Sequence, residues 1–214
     1  NGIEVGRASE TRRTVVCAAI DQVYRGQFVF TAAYRQGIEG MLRDLAQQFP
    51  LFLLSGDNDR ERERLAAFFA DERLHFAQSP QDKLNYIEKL ENEGWKTLMV
   101  GDGLNDAGAL KRSSVGLAVS QLAGSFAPAC DGIIDAEQLV RLPTFLRFAR
   151  WSRRIVVAGM ALSLLYNIAG LSFAVQGMLS PLLSALLMPI SSLSVVALTT
   201  GATHAVARYL DLGN

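Results

Sequence analysis

Three short segments put carboxylates, a hydroxyl and an amine at places where strands end and helices begin. Gly101-Asp102-Gly103-Leu104-Asn105-Asp106 sets two carboxylates four residues apart around two glycines. Glycine lets the backbone approach a ligand or take a positive φ, and neighbouring carboxylates need a cation to offset their repulsion. Hard oxygen donors in a loop suit Mg²⁺, usually held by one or two carboxylates and a substrate phosphate. A glycine turn capped by an Asp carries the same local signature. Ser55-Gly56-Asp57 offers a hydroxyl to a phosphoryl oxygen, and Pro80-x-x-Lys83 offers positive charge at the start of a helix. Taken together, the three segments suit chemistry on a phosphoryl group.

The pattern of apolar residues supplies elements to carry them. Val15–Ile20 and Val23–Phe30 read as a hairpin around Asp21-Gln22. Ile38, Met41, Leu42 and Leu45 recur at helical spacing before Pro50. Leu51–Leu54 is an all-apolar run, expected to be a strand buried on both faces and ending at Ser55. The charged segment after it predicts an amphipathic helix with Leu65, Phe68 and Phe69 inward. Ser79-Pro80 opens another helix, with Leu84, Ile87 and Leu90 on one face and Gly94 as its stop. Thr97–Val100 reads as a second buried strand, followed by a short helix to Lys111 and strands at Val115–Val119 and Gly132–Ile134. Strands alternating with helices predict an open, largely parallel α/β sheet, with sites in loops at the carboxyl ends of its strands.

Charge then stops. The 214 residues carry 21 Lys+Arg and 21 Asp+Glu, yet residues 155–207 contain none of these four types. One helix of that length would run to roughly 80 Å, against a bilayer core of about 30 Å. Two spans, Ile155–Val175 and about Leu182 to Ala202, joined by Gln176–Pro181, fit this stretch. Glu137–Arg154 predicts a helix leading into the first span, with Arg141, Arg147, Arg150, Arg153 and Arg154. With Arg208 beyond the second span, these arginines put both ends on the cytoplasmic side. A net charge of zero gives no case for nucleic acid, and none is expected as a partner. Cys17 and Cys130 form no Cys-x-x-Cys pair and read as ordinary thiols.

The order of hydroxyl, Lys and Gly-Asp-Gly-x-x-Asp resembles the later motifs of haloacid-dehalogenase-like phosphotransferases. Longer strings are closer still to the phosphorylation domain of P-type ATPases: Ser55-Gly56-Asp57, Pro80-x-x-Lys83, and Val100-Gly101-Asp102-Gly103-Leu104-Asn105-Asp106-Ala107-x-Ala109-Leu110. The resemblance implies a Rossmann-like parallel sheet followed by a transmembrane helix hairpin. It implies an aspartyl-phosphate mechanism in which Asp102 ligates Mg²⁺ beside Asp106, Lys83 contacts the phosphoryl group, and Asn105 and Asp106 organise the loop. Ser55, Gly56 and Asp57 stand for the family's Thr-Gly-Asp, and Gly108 departs from the Pro common there. No Asp-Lys-Thr-Gly-Thr segment is present, so the phosphorylated Asp is expected upstream of Asn1, with ATP bound mainly by an upstream domain. Alone, this C-terminal piece is expected to be inactive. Residues 1–14 are then the end of a nucleotide-binding domain or a hinge, 15–136 the phosphorylation domain, and 137–154 a linker helix. Residues 155–207 are the two spans and 208–214 a cytoplasmic tail. A monomer in the inner cell membrane is implied.

Two spans after such a domain resemble the heavy-metal branch. In its copper subgroup these spans carry Tyr-Asn and Met-x-x-Ser-Ser, matched by Tyr166-Asn167 and by Met188, Ser191 and Ser192. A soft thioether suits Cu(I), the transported ion this implies. Another soft or divalent metal is the alternative within the class; a membrane-anchored remnant without catalysis is the alternative outside it.

Overall fold

The computed structural model describes residues 14–21, 23–30, 34–120, 130–178 and 180–212. The expectation for the segment before Thr14 lies outside the described residues. Two compact units result, Asn1–Val140 and Arg141–Asn214.

In the first unit, β1 (Thr14–Ile20) and β2 (Val23–Phe30) form an antiparallel pair closed at Ile20↔Val23, with a bulge between Ala18 and Ala19. Asp21 sits in the turn at φ 52°, a conformation that Asp tolerates better than most residues. The hairpin expected around Asp21 is therefore present. Helix α1 (Ile38–Ala46) starts after Gly37, at φ 89°, and buries Met41 and Leu45.

β3 (Leu53–Leu54) pairs in parallel with β4 (Leu74–His75), a two-residue strand without a sequence signal of its own. Between them the expected amphipathic helix is broken up. Asn58 caps a 3-10 turn at Asp59–Glu61, followed by the single helical turn α2 (Arg62–Leu65). The chain bends after Leu65 because Leu65, Phe69 and Leu74 close one core cluster, with Leu42, Leu51, Leu53 and Phe68 packed against it.

Helix α3 (Pro80–Asn92) has firm ends. Ser79 Oγ accepts from the Asp82 N–H at 3.2 Å while Asp82 Oδ2 accepts from the Ser79 N–H at 3.0 Å, a reciprocal capping box. At the other end Gly94 takes φ 91°, and Gly94 N–H and Trp95 N–H reach back to the carbonyls of Glu91 and Leu90. Such a closure needs a left-handed residue at Gly94. β5 (Leu98–Gly101), β6 (Val115–Ser120) and β7 (Gly132–Asp135) form a parallel sheet in that order, with α4 (Ala107–Arg112) crossing from β5 to β6. The parallel α/β expectation holds. The strands at Leu53–Leu54 and Leu98–Gly101 are not enclosed on both faces: the first is partly buried, and in the second Leu98 is exposed and the rest partly buried.

The second unit is two long helices. α5 (Leu142–Val175) is unbroken, so its arginine-bearing stretch and its apolar stretch share one axis. α6 (Pro181–Tyr209) contains Pro189. Both are long and apolar enough to cross a membrane. Their contacts run antiparallel: Arg141 donates to the Asp211 carbonyl, Gly159 packs against Thr199, and Tyr166 Oη lies 3.2 Å from Ser194 Oγ.

Candidate functional site

At the carboxyl end of β5 the chain turns through Gly101-Asp102-Gly103 into α4. Lys83, in the first turn of α3, reaches across to Asp106, with Nζ 2.8 Å from Oδ1. Their side chains are 13% and 11% exposed, so the pair is largely removed from water. Gly101 makes room for it. A Cβ at Gly101 would lie 2.5 Å from Asp106 Oδ2 and 2.8 Å from Asp106 Cβ, closer than carbon atoms pack. The strand end thus needs glycine here because a carboxylate fills the space a side chain would take.

Asp102, by contrast, is exposed. Its Oδ1 accepts from the N–H groups of Leu104 and Asn105, both at 3.1 Å, and its Oδ2 accepts from Asn105 Nδ2 at 3.0 Å. Gly103, at φ 81°, supplies the turn that aims those N–H groups back. Desolvation is the largest influence on the Asp102 carboxyl and acts upward. The bonds from Asn105, followed by backbone bonds from Leu104 and Asp106, together outweigh it, and the group stays below its ordinary value. Asp102 is therefore ionised at neutral pH, with lone-pair capacity left on Oδ2. That hard anionic donor fits Mg²⁺, which is content with one or two carboxylates and keeps several waters. Among the described residues no ready-made cluster of three such ligands exists.

Ser55 follows β3 directly. Its Oγ accepts from the Asp57 N–H at 3.1 Å, its N–H donates to the His75 carbonyl, and its carbonyl accepts from Gln78 N–H. Gln78 immediately precedes the Ser79 cap of α3, so the Ser55-Gly56-Asp57 loop is held by backbone bonds to the entry of the helix that carries Lys83. Gly56 lies close against the Gln78 carbonyl. Three segments far apart in sequence are thereby joined through α3.

In the helix pair the expected metal-path residues separate. Tyr166 bonds across to Ser194, a residue the spacing did not single out. Asn167 and Ser192 are exposed, and Met188 is 77% exposed. The hydroxyls of Ser191 and Ser192 turn back to the Met188 carbonyl at 2.9 and 3.3 Å.

Most of the chain has known counterparts. The haloacid dehalogenase-like hydrolase family matches residues 6–113, just over half of the chain, including Ser55, Lys83 and the Asp102 loop. The chain belongs to that family. Within it, the likeness is to P-type ATPases. The chain is 30% identical over 185 residues to the cation-transporting P-type ATPase B of Mycobacterium tuberculosis, covering 86% of this chain and 25% of that protein. It is 26% identical to a copper-exporting P-type ATPase of Staphylococcus epidermidis, over 86% of this chain and 23% of that one. The fold of a zinc-transporting PIB-type ATPase superposes with a TM-score of 0.70, at 24% identity, over 89% of this chain and 31% of that one. The chain spans about a quarter of the length of the curated relatives it matches. The region shared is the haloacid-dehalogenase-like phosphorylation region of heavy-metal P-type ATPases with two long apolar helices after it.

One feature of this haloacid-dehalogenase-like unit escapes motif reading. Glu91, in the last turn of α3, accepts from Thr97 N–H at 3.0 Å and Thr97 Oγ1 at 2.5 Å, and from Ser114 N–H at 2.9 Å and Ser114 Oγ at 2.7 Å. Bonds from the Thr97 and Ser114 side chains outweigh burial, which acts upward, and hold its carboxyl down at about 2. Glu91 ties the starts of β5 and β6 to the end of α3, opposite Lys83. Its partners lie 6 and 23 residues away, and no local pattern announces them.

Proposed function

We propose that this chain is the phosphorylation region and a pair of membrane spans of a P-type ATPase that transports Cu(I). The observation that carries the reading is the buried Lys83–Asp106 pair beside an exposed, ionised Asp102 at one strand end. Asp102, with Asp106 nearby, would hold Mg²⁺, which when bound neutralises phosphoryl charge. Lys83 spends one N–H on Asp106 and keeps two to donate to phosphoryl oxygens. Asn105 fixes the Asp102 carboxylate from the side, and Ser55, accepting through Oγ from Asp57, keeps its own proton to donate. Asp57 and Gly56 shape that turn. The nucleophilic Asp and most of the ATP contacts belong, on this reading, to an upstream segment of the same polypeptide.

The helix pair would lie in the inner cell membrane of a monomeric pump, with residues 1–154 and the tail in the cytoplasm. Met188 offers Cu(I) a soft ligand on an exposed helix face, while Ser191, Ser192, Tyr166 and Asn167 supply polar groups at membrane depth. The zinc-transporting protein of like fold favours a second reading, export of another soft or divalent metal by the same machinery.

The test uses the complete polypeptide encoded by the gene. Asp102→Asn should abolish Mg²⁺-dependent phosphoenzyme formation from ATP, while Met188→Ala should weaken Cu(I)-stimulated turnover and leave phosphorylation by inorganic phosphate intact. Normal phosphoenzyme in the first variant overturns the phosphoryl-transfer reading. Undiminished copper stimulation in the second returns Met188 to a packing role, and stimulation by Zn²⁺ alone selects the second reading. A coding sequence with no Asp-Lys-Thr-Gly-Thr ahead of Asn1 leaves only a non-catalytic, membrane-anchored remnant.

A further inference from the structure

The charged end of the helix pair carries one sign only. From residue 138 to residue 210 there are six arginines and no Asp, Glu or Lys. Arg147, Arg150, Arg153 and Arg154 are all exposed on α5. At about 100° per residue they fall within roughly a 120° sector, on the side away from Gly159 and Tyr166, which face α6. Arg208 on α6 is exposed as well. Gly159 packs against Thr199, and the helices are antiparallel, so counting nine residues outward on each sets Arg208 level with Arg150. Four guanidinium groups therefore line the outer side of α5 over about 10 Å, with a fifth level with them on α6, directly where the uncharged stretch beginning at Ile155 gives way to charge. Trp151 stands at the same height with Arg154 stacked 5.1 Å from its ring centre. An aromatic ring with one wet end and an arginine beside it belong at the headgroup level of a bilayer.

We infer that this cluster of arginines binds the phosphate groups of anionic phospholipids. The inference rests on the reading that α5 and α6 cross a bilayer. Guanidinium groups match phosphate oxygens in paired N–H···O geometry, and each basic group near a membrane surface gains about 1 kcal/mol from anionic lipid, a factor of about five. A free phosphate ion offers the same oxygens. The lipid is the better match because the arginines border an apolar hairpin, where the acyl chains that follow a headgroup have apolar surface to cover.

Trp151 reports on its own neighbours, since Trp95 is the other tryptophan and Trp95→Phe keeps a ring against Phe52. The Trp95→Phe chain is reconstituted into vesicles of equal phosphatidylcholine and phosphatidylglycerol, with one lipid or the other brominated in its acyl chains. Quenching of Trp151 should favour brominated phosphatidylglycerol by about fivefold or more in relative association. Arg147→Gln/Arg154→Gln/Arg208→Gln should lower the ratio several-fold, and the corresponding triple Lys variant should keep the original preference for the anionic lipid. Inorganic phosphate at matched ionic strength should leave the ratio unchanged. Equal quenching by the two lipids with all five arginines present overturns the inference, as does a ratio abolished by inorganic phosphate. Absence of quenching by either lipid overturns the bilayer reading, and the inference with it.

Discussion

Gly101→Ala isolates the contact on which the candidate site depends. The new methyl would stand 2.5 Å from Asp106 Oδ2, 2.8 Å from its Cβ and 3.0 Å from its Cγ. Rotating the Asp106 side chain cannot relieve the clash, because Asp106 Cβ is itself too close. The strand end or the start of α4 has to shift, and the 2.8 Å bond to Lys83 is stretched or lost. Overpacking of this kind costs about 1–3 kcal/mol, and stranding one partner of a mostly buried ion pair costs about 3–5 kcal/mol when complete. With part of the pair retained, a loss of about 3 kcal/mol is expected. Hydrogen exchange of peptides over 98–106 and 115–120, followed by mass spectrometry on the detergent-solubilised chain, reads this as roughly a hundredfold faster exchange. The decisive comparison is Gly101→Ala made in an Asp106→Gly background. Asp106 is the N-cap of α4 but makes no side-chain cap bond, so that background loses no capping interaction. There the methyl's three nearest contacts are removed, and its cost should fall by about 2 kcal/mol or more. Costs that add within about 0.5 kcal/mol in the two backgrounds would show that Gly101 and Asp106 do not compete for space.

Two smaller perturbations probe the frame. Glu91 has a folded pKa of about 2 against an ordinary 4.5, so its contribution is full above about 4.5 and is lost as pH falls toward 2. Glu91→Gln should therefore flatten the fall of melting temperature with acidification across that interval; an unchanged slope would mean its bonds to Thr97 and Ser114 are not kept in solution. Gly108→Ala should raise stability by about 0.5 kcal/mol, because a Cβ there meets Leu84 Cδ2 at an ordinary 3.6 Å and alanine favours a helix over glycine. A lowered melting temperature would show that α4 needs the glycine for closer packing than this.

The sequence was most legible where a local rule acts alone. The Asp21 turn, the Ser79-Pro80 start of α3 and its stop at Gly94 need no tertiary information, and they appear where residue chemistry puts them. It was least legible where distant partners decide. The segment from Asp59 to Phe69 has helical spacing, but Leu65 and Phe69 are drawn to Leu74, which ends the helix after one turn. β4 exists because Leu53 and Leu54 supply its ladder, with two residues of its own to signal it. Within the candidate site the motifs nominated Lys83, Asp102 and Asp106 singly; that Lys83 bonds Asp106, leaving Asp102 to its own loop, follows from the packing of α3 against α4. Likewise Tyr166 stood out as a polar residue in an apolar span, while its partner Ser194, 28 residues on, could not be paired with it by spacing.

The three ties between the long helices have a mechanical consequence. Arg141 to the Asp211 carbonyl, Gly159 against Thr199, and Tyr166 to Ser194 are spread over about 37 Å of α5. Thr199 sits so close to Gly159 that a methyl on the glycine would come within 3.0 Å of it. Sliding one helix past the other would drive Thr199 off the glycine into bulkier neighbours and break the hydroxyl bond above it. The three ties therefore oppose axial sliding of one helix along the other over this length.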